Sequence, residues 1–230
     1  HLAFMMTISP IAHFHSPLTS KFGIPRQSGI ADSLHGTIVF TPEYRNADAL
    51  RGLEGFDFLW ILWGFSENIH SAKHATVRPP RLGGNTRIGV FATRSPFRPN
   101  NIGLSSVRIA DIQIATPDGP VIEVVGADLM DGTPIYDIKP YLPEFDSHPE
   151  AKAGFVNSNE WQPLEVKFLP TADISRFTPT DVNTITQLLS QDPRPHYHSS
   201  PDRLYGMTYK GYDIRFRVEG RKVIVEKIES

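Results

Sequence analysis

Residues 104–128 read LSSVRIADIQIATPDGPVIEVVGAD, and this stretch decides the fold. In its first half aliphatic residues alternate with polar ones, which is typical of a half-buried β-strand with an irregularity near Ala110. The tetrapeptide TPDG, at residues 116–119, predicts a turn, and the apolar run after it predicts the partner strand. We therefore expect a β-hairpin at the centre of an antiparallel β-barrel or sandwich.

Three segments before this hairpin also have the composition of strands. They are GTIVF (36–40), FDFLWILWGF (56–65) and TRIGVFATR (86–94). The second is apolar throughout, so we predict a strand that is buried on both faces. Between the first two, NADALRGLEG (46–55) predicts a short helix ended by a glycine.

The composition changes after residue 141. A segment rich in Pro, Asn and Ser predicts a linker. TPTDVNTITQLLSQD (178–192) predicts a helix whose first turn is closed by a capping box between Thr178 and Asp181. One strand is expected before this helix and three after it. We predict a mainly β protein with a β-barrel domain at 5–145, a linker at 146–163 and a small α+β C-terminal domain at 164–230.

The composition is that of an ordinary globular protein with a net charge of −2. There is no cysteine, which excludes disulfides, thiolate metal ligands and a cysteine nucleophile. The first residues, HLAFMMTISP, lack the basic and apolar regions of a signal peptide, and the longest apolar run has only ten residues. We expect a cytoplasmic protein that does not enter a membrane.

The near-neutral net charge conceals two oppositely charged blocks. Between Asn68 and Ala110 there are seven Lys and Arg residues and no acid. The next forty residues contain nine acids and only Lys139 as a cation. The basic block favours a surface for phosphate or another anion. The alternative is a solvated face whose charges cancel once the chain folds.

Several common site motifs are missing. The sequence has no dinucleotide-binding GxGxxG after a strand, no Walker motif, no HExxH and no GxSxG. Histidines occur in pairs, such as His70 and His74, but without a convincing third ligand. We therefore predict no metal site.

Inside the basic block, FATRSPFRPNNIGLSSVRI (91–109) combines arginines with prolines and Gly103. Prolines fix the backbone, and glycine permits close approach of another chain or a ligand. This predicts a stiff loop that presents Arg94 and Arg98 to a carboxylate or phosphate. An ordinary turn whose arginines pair with local acids is the alternative.

Two further segments have the character of site loops. KFGIPRQSG (21–29) carries two cations beside Pro and Gly, and DLMDGTPIYDIKPYLP (128–143) carries a dense group of acids. Solvated turn chemistry is the alternative for the second, because Asp-Gly is a common turn pair.

Four strings closely resemble the bacterial tRNA (N6-threonylcarbamoyladenosine)-methyltransferase family. They are PRQSG, VRPPRLGGNTRIGVFATRSPFRPNNIGLSSV, DLMDGTPIYDIKPYLP and DPRPHY, and the match covers nearly the whole chain. Two positions depart from the family pattern: Asn101 stands where it usually has proline, and His196 where it tends to have alanine. Neither change removes a group that we expect to be essential.

The resemblance implies a single-sheet β-barrel domain followed by a small C-terminal domain. It also implies S-adenosylmethionine as the cofactor and, as the substrate, a tRNA that carries threonylcarbamoyladenosine beside the anticodon. The family methylates N6 of that nucleoside, and its members are homodimers with the cofactor site close to the subunit interface.

The resemblance also implies the cofactor-binding residues, and the chemistry of the reaction suggests the others. For the cofactor they are Ser28, Gly29, Ile30, Ser66, Glu67, Arg94, Leu104, Val125, Gly126, Ala127 and Asp128. The base or its partners are sought among Asp131, Asp137, Lys139 and Tyr141, without a choice between them. Arg98 is a candidate for the threonine carboxylate, and the candidates for tRNA contacts are Arg78, Arg81, Arg98 and Arg194, extended by Lys210, Arg215 and Arg217. Phe97 or Tyr197 could stack on a base of the exposed RNA loop.

Two other functions remain open. A nucleic-acid-binding barrel without catalysis would keep the basic block and bind no cofactor. A small-molecule methyltransferase would keep its activity when Arg78, Arg81 and Arg98 are replaced together.

Overall fold

The computed structural model describes residues 6–66, 75–79, 82, 85–156, 162–194 and 203–230. Its N-terminal part is a closed antiparallel barrel in which strand β8 closes onto β1, in the order β1-β2-β7-β6-β3-β8. The barrel strands are β1 (Ala12–His15), β2 (His35–Phe40), β3 (Phe58–Gly64), β6 (Ile102–Gln113), β7 (Val121–Val125) and β8 (Pro134–Pro140). The predicted single-sheet barrel is therefore confirmed.

The central hairpin consists of β6 and β7. Its register shifts between Ile109 and Asp111, which is the predicted irregularity around Ala110. Inward-facing positions of both strands enter the barrel core, including Val107, Ile122 and Val124. A bulge of this kind increases the local twist and helps a sheet to close.

Three local predictions are wrong. Strand β3 is not buried on both faces: Leu59, Ile61 and Trp63 are buried, and the residues between them are partly exposed. The segment 46–55 forms two short 3-10 helices, because Gly52 has a φ of 89° and interrupts the helical path.

The segment 86–94 holds only the two-residue strand β5 (Ile88–Gly89), paired with β4 (Thr76–Val77), and then a 3-10 turn in which Phe91 is exposed.

The C-terminal part is a four-stranded sheet with one packed helix. The sheet order is β10-β11-β12-β9, and only the β12–β9 pair is parallel. Its elements are β9 (Glu165–Phe168), α2 (Pro179–Ser190), β10 (Tyr205–Tyr209), β11 (Tyr212–Glu219) and β12 (Lys222–Glu229), preceded by the single helical turn α1 (Pro143–Asp146). The capping box of Thr178 and Asp181 is present at the start of α2, as predicted.

The two parts share a core. Leu18, Ala31 and Leu34, which come from the segment between β1 and β2, are buried in the cluster formed by the C-terminal sheet and α2. This segment lies between two barrel strands in the sequence. Its side chains, however, pack into the core of the C-terminal domain, which we call the second core. The boundaries at residues 145 and 164 stay a prediction.

The helices are short. Within the described ranges no helix is long and apolar enough to cross a membrane, and α2 has 12 residues.

Candidate active site

A cavity of about 630 Å³ opens on one side of the barrel, in the size range of small-molecule sites. Its walls come from the segment 21–27, from the loop 93–98, and from β3 and β6. Its described apolar lining includes Trp60, Trp63, Phe65, Phe97, Ile102, Leu104 and Met130. The loop and the segment that the sequence analysis singled out for their Pro, Gly and Arg content thus face the same space.

The charged residues around this cavity are mostly cations. Among its described lining residues, Lys21, Arg26, Arg94 and Arg98 are cations and Asp128 is the only acid. Such a lining favours an anionic ligand with one positive or hydrogen-bond-donating group near the carboxylate. The basic loop therefore faces a ligand-sized cavity.

Asp128 is the only carboxyl group among the described residues that line this cavity, and its pKa is raised. Burial raises its pKa, and this effect outweighs the hydrogen bonds from the Ser105 hydroxyl and from backbone N–H groups, including that of Ser28, and the nearby charge of Arg94. The Ser105 hydroxyl lies 2.6 Å from Asp128 Oδ1. An acid in a cleft whose pKa is raised by burial is a candidate for function.

Behind Asp128 lies a second hydrogen bond. The indole Nε1–H of Trp63 donates to Ser105 Oγ over 3.0 Å. Both side chains are buried, and the Trp63 ring lies against Gly103, where any Cβ would overlap it. Sequence reasoning missed Trp63 and Ser105. The available signal was a hydroxyl at an inward-facing position of a strand that otherwise turns apolar residues inward, such as Val107.

The two arginines of the loop have different roles in the structure. Arg94 is exposed and its Nη1 donates to Gln27 Oε1, which ties the loop to the opposite wall. Arg98 is half-buried, and its Nη1 donates to the carbonyls of Thr93 and Ser95 at 3.0 and 3.3 Å. Arg98 therefore braces its own loop as well as facing the cavity.

The predicted cofactor residues fall into two adjoining groups. Ser66, Arg94, Leu104 and Asp128 line the cavity. Ser28, Gly29 and Ile30 run beside Val125, Gly126 and Ala127: Gly29 N donates to the carbonyl of Gly126 over 2.8 Å. Gly126 has a φ of 79°, in the left-handed region that favours glycine. Glu67 lies outside the described residues.

The four predicted base candidates are not among the residues that line the cavity. Asp131 accepts from Ser16 N at 3.0 Å and lies 3.4 Å from His15 Nδ1. Asp137 forms an ion pair with Lys139 at 3.0 Å. Tyr141 packs on Trp60, with ring centroids 5.7 Å apart, and so reaches the cavity wall from the outer face of the barrel. Their catalytic roles stay a prediction.

The predicted RNA contacts are also dispersed. Arg78 is exposed next to β4, whereas Arg81 and Tyr197 lie outside the described residues. Arg194 holds Asp192 with two hydrogen bonds of 2.7 and 2.9 Å.

The cations of the C-terminal sheet are paired with acids: Lys210 with Asp181, Arg215 with Asp213 and Arg217 with Glu226. These pairs weaken the predicted basic surface on that domain.

No cluster of three or more potential metal ligands occurs in the part of the chain that the structure describes.

Comparison with known proteins agrees with this arrangement. Residues 13–147 match the family described as tRNA-methyltransferase O N-terminal domain, and residues 162–230 match the TrmO C-terminal domain. A relative from Escherichia coli K12, named tRNA (adenine(37)-N6)-methyltransferase, is 40% identical over 215 residues, which cover 90% of this chain and 91% of that protein. A Pseudomonas aeruginosa relative, named putative S-adenosylmethionine-dependent methyltransferase RcsF, is 36% identical and covers 91% of both chains.

A solved structure gives the same result in three dimensions. The crystal structure of TrmO from Pseudomonas aeruginosa superimposes with a TM-score of 0.79 at 29% identity, over 99% of both chains. The family resemblance of the four sequence strings is thereby confirmed. The chain belongs to the tRNA-methyltransferase O family.

Proposed function

We propose that this protein transfers a methyl group from S-adenosylmethionine to N6 of an adenosine at position 37 of tRNA. Two relatives whose alignments cover 90% and 91% of this chain are named for this activity and for this cofactor. The single structural observation that supports the proposal is the cavity of about 630 Å³, with four cations and the half-buried carboxylate of Asp128 in its described lining.

The described residues fit the cofactor. S-adenosylmethionine combines a carboxylate, an adenine ring and two cationic groups, and the cavity offers arginines, aromatic walls and one acid. Arg94 is placed to bind the carboxylate, because a guanidinium pairs with it bidentately. The aromatic rings of the wall suit the adenine or a cation. When bound, the sulfonium supplies an activated methyl group.

The work of the protein is then positioning and proton removal. Holding the nitrogen in line with the methyl group lowers the barrier by several kcal/mol in well-oriented systems. The N6–H of the substrate must lose its proton, so a base within hydrogen-bonding reach is required.

The finer substrate is threonylcarbamoyladenosine. Arg98 faces the cavity beside Arg94 and is a suitable partner for the threonine carboxylate. Phe97 lies between them in the same wall and is 56% exposed, so its ring is available for stacking on a base of a single-stranded loop. A tRNA substrate supports the expected cytoplasmic location.

The proposed assembly is a homodimer. Large apolar side chains are exposed on the outer face of β3 and β6 and on the helical turn α1, whose Asp146 accepts a hydrogen bond from Trp60 of β3; they are Phe58, Leu104 and Phe145. Leu104 is 55% exposed and also lines the cavity, so a second copy on this face would cover the open side of the site. Sedimentation velocity is expected to give a dimer, and Leu104→Asp is expected to give a monomer. A wild-type protein that sediments as a monomer would argue against this assembly.

The test of the function uses labelled S-adenosylmethionine and two tRNA preparations. One carries threonylcarbamoyladenosine and the other comes from cells that cannot make it. We expect label only in the first. Label in both would remove the requirement for the threonylcarbamoyl group. Binding of RNA without any label and without binding of S-adenosylhomocysteine would support a binding module instead.

A further inference from the structure

We propose that Asp128 is the base that accepts the N6 proton, that it does so at Oδ2, and that Ser105 and Trp63 are positioning residues for it. The inference rests on the proposed methyl transfer. It differs from the roles expected from the sequence, in which Asp128 holds the cofactor and the base lies among four residues that do not line the cavity.

The first argument is location. Asp128 is the only acid among the described residues that line the cavity, and the predicted candidates Asp131 and Asp137 have other partners, at Ser16 and Lys139. A base has to reach the proton that it removes, within about 3 Å or through one water. By geometry, Asp128 is therefore the best-placed carboxylate that the structure describes.

The second argument is the direction of the hydrogen bonds. An indole N–H is only a donor, so Trp63 must donate to Ser105, and the Ser105 hydroxyl proton is then directed at Asp128 Oδ1. Oδ1 is thereby fixed as an acceptor. A proton taken up by this carboxyl group consequently goes to Oδ2.

The step balances with the partners already named. The N6–H bond breaks, its proton moves to Asp128 Oδ2, and the nitrogen forms a bond to the methyl carbon. The carbon–sulfur bond breaks with its electron pair on sulfur, which becomes a neutral thioether. The nearby charge of Arg94 favours the ionised form of Asp128 before the step.

The chain of hydrogen bonds from Trp63 through Ser105 to Asp128, which we call the relay, also sets the pKa of the base. Burial raises the pKa of Asp128, and the Ser105 hydrogen bond opposes this rise. Removing the hydroxyl should therefore raise the pKa further, so that a higher pH is needed to ionise Asp128. A residue with a purely packing role would leave this titration unchanged.

The experiment has two readouts. The first is the pH titration of the Asp128 carboxyl carbon by 13C NMR in the cofactor-free protein, with Asp128→Asn used to assign the signal. The second is the single-turnover methylation rate against pH, together with the affinity for S-adenosylhomocysteine. The variants are Asp128→Asn, Ser105→Ala, Ser105→Thr and Trp63→Phe. Ser106→Ala, which removes a hydroxyl from the opposite face of the same strand, is the matched control.

Asp128→Asn is expected to lower the single-turnover rate by about 10²–10⁴-fold and to change the affinity for S-adenosylhomocysteine by less than about threefold. Ser105→Ala should move the Asp128 titration and the acidic limb of the rate profile together to higher pH. Ser105→Thr should restore both, and Trp63→Phe should shift them less.

Two results would overturn the inference. One is a loss of cofactor affinity in Asp128→Asn that equals the loss of rate, which would make Asp128 a cofactor ligand. The other is an Asp128 titration that Ser105→Ala leaves unmoved. A wild-type protein that methylates no tRNA would instead refute the proposed function, and the NMR titration would still test the relay.

Discussion

The ring of Phe22 stacks on the ring of Tyr205, with centroids 6.4 Å apart and planes within 6° of parallel. Phe22 lies in the segment that forms one wall of the cavity, and Tyr205 is the first residue of β10 in the C-terminal sheet. Arg26 of the same wall donates to the carbonyl of Asp192 at 3.2 Å, in the turn after α2. The C-terminal domain is therefore a support for the cavity wall.

This support predicts that Phe22→Ala weakens both folding and ligand binding. The half-buried ring also contacts Phe216, so its loss should reduce the free energy of unfolding by about 1–3 kcal/mol. The loosened wall should lower the affinity for S-adenosylhomocysteine in calorimetry. Phe91→Ala is the control, because Phe91 is 80% exposed and its removal should leave stability unchanged. An unchanged affinity for S-adenosylhomocysteine in a destabilised Phe22→Ala protein would show that support of this wall is not needed for ligand binding.

Gly103 should tolerate no side chain. A Cβ at this position would overlap the Trp63 ring, so Gly103→Ala must displace the indole and break its hydrogen bond to Ser105. We expect a loss of about 1–3 kcal/mol in urea unfolding, as for other overpacked cores. Gly55→Ala is the matched control, since nothing lies within 4 Å of a Cβ there, and it should change stability by less than about 0.5 kcal/mol. Equal stability of the two variants would contradict the packing described.

Asp181 should stabilise the C-terminal domain in a pH-dependent way. Its burial would raise the pKa, but hydrogen bonds from Lys210, Tyr209 and Thr178 outweigh this and lower the pKa to about 2. A carboxyl group with a lowered pKa stabilises the fold above its unfolded pKa and loses this effect as the pH falls. Wild type should therefore exceed Asp181→Asn by about 2 kcal/mol at pH 7 from this ionisation alone. Urea unfolding should show the difference shrinking from about pH 4 towards pH 2, and a constant difference would refute the assignment.

Asp128 should behave in the opposite way. Burial raises its pKa, so the folded state holds the proton more tightly than the unfolded state. The stability linked to this group is then present at low pH and is lost as the pH rises through the folded pKa. Asp128→Asn should be at least as stable as wild type at pH 7 although its methylation rate is lowered, and its advantage should disappear in acid. Thermal unfolding at pH 4 and pH 7 measures this, and an Asn variant that is less stable at pH 7 would contradict it.

Local features of the fold could be predicted from the sequence. The β6–β7 hairpin, its bulge near Ala110 and the capped helix α2 follow from alternation, turn residues and the pair Thr178 and Asp181. The strand predicted at 86–94 failed because apolar composition was taken as burial, whereas Phe91 faces solvent.

The site was predictable only in part. Arg94 and Asp128 were named from the family resemblance, but the relay behind Asp128 depends on partners 23 and 42 positions apart in the chain. Such a pairing is decided by barrel closure and register, which a single sequence does not specify. The same holds for the segment 21–27, whose packing on Tyr205 joins it to the second core.

A crystal structure of the protein with S-adenosylhomocysteine would test the central claim most directly. We predict that the ligand occupies the cavity between the segment 21–27 and the loop 93–98. Its carboxylate should lie on Arg94, and Asp128 Oδ2 should face the place left for the methyl acceptor. A ligand bound elsewhere, with the cavity unchanged, would contradict the account of the site.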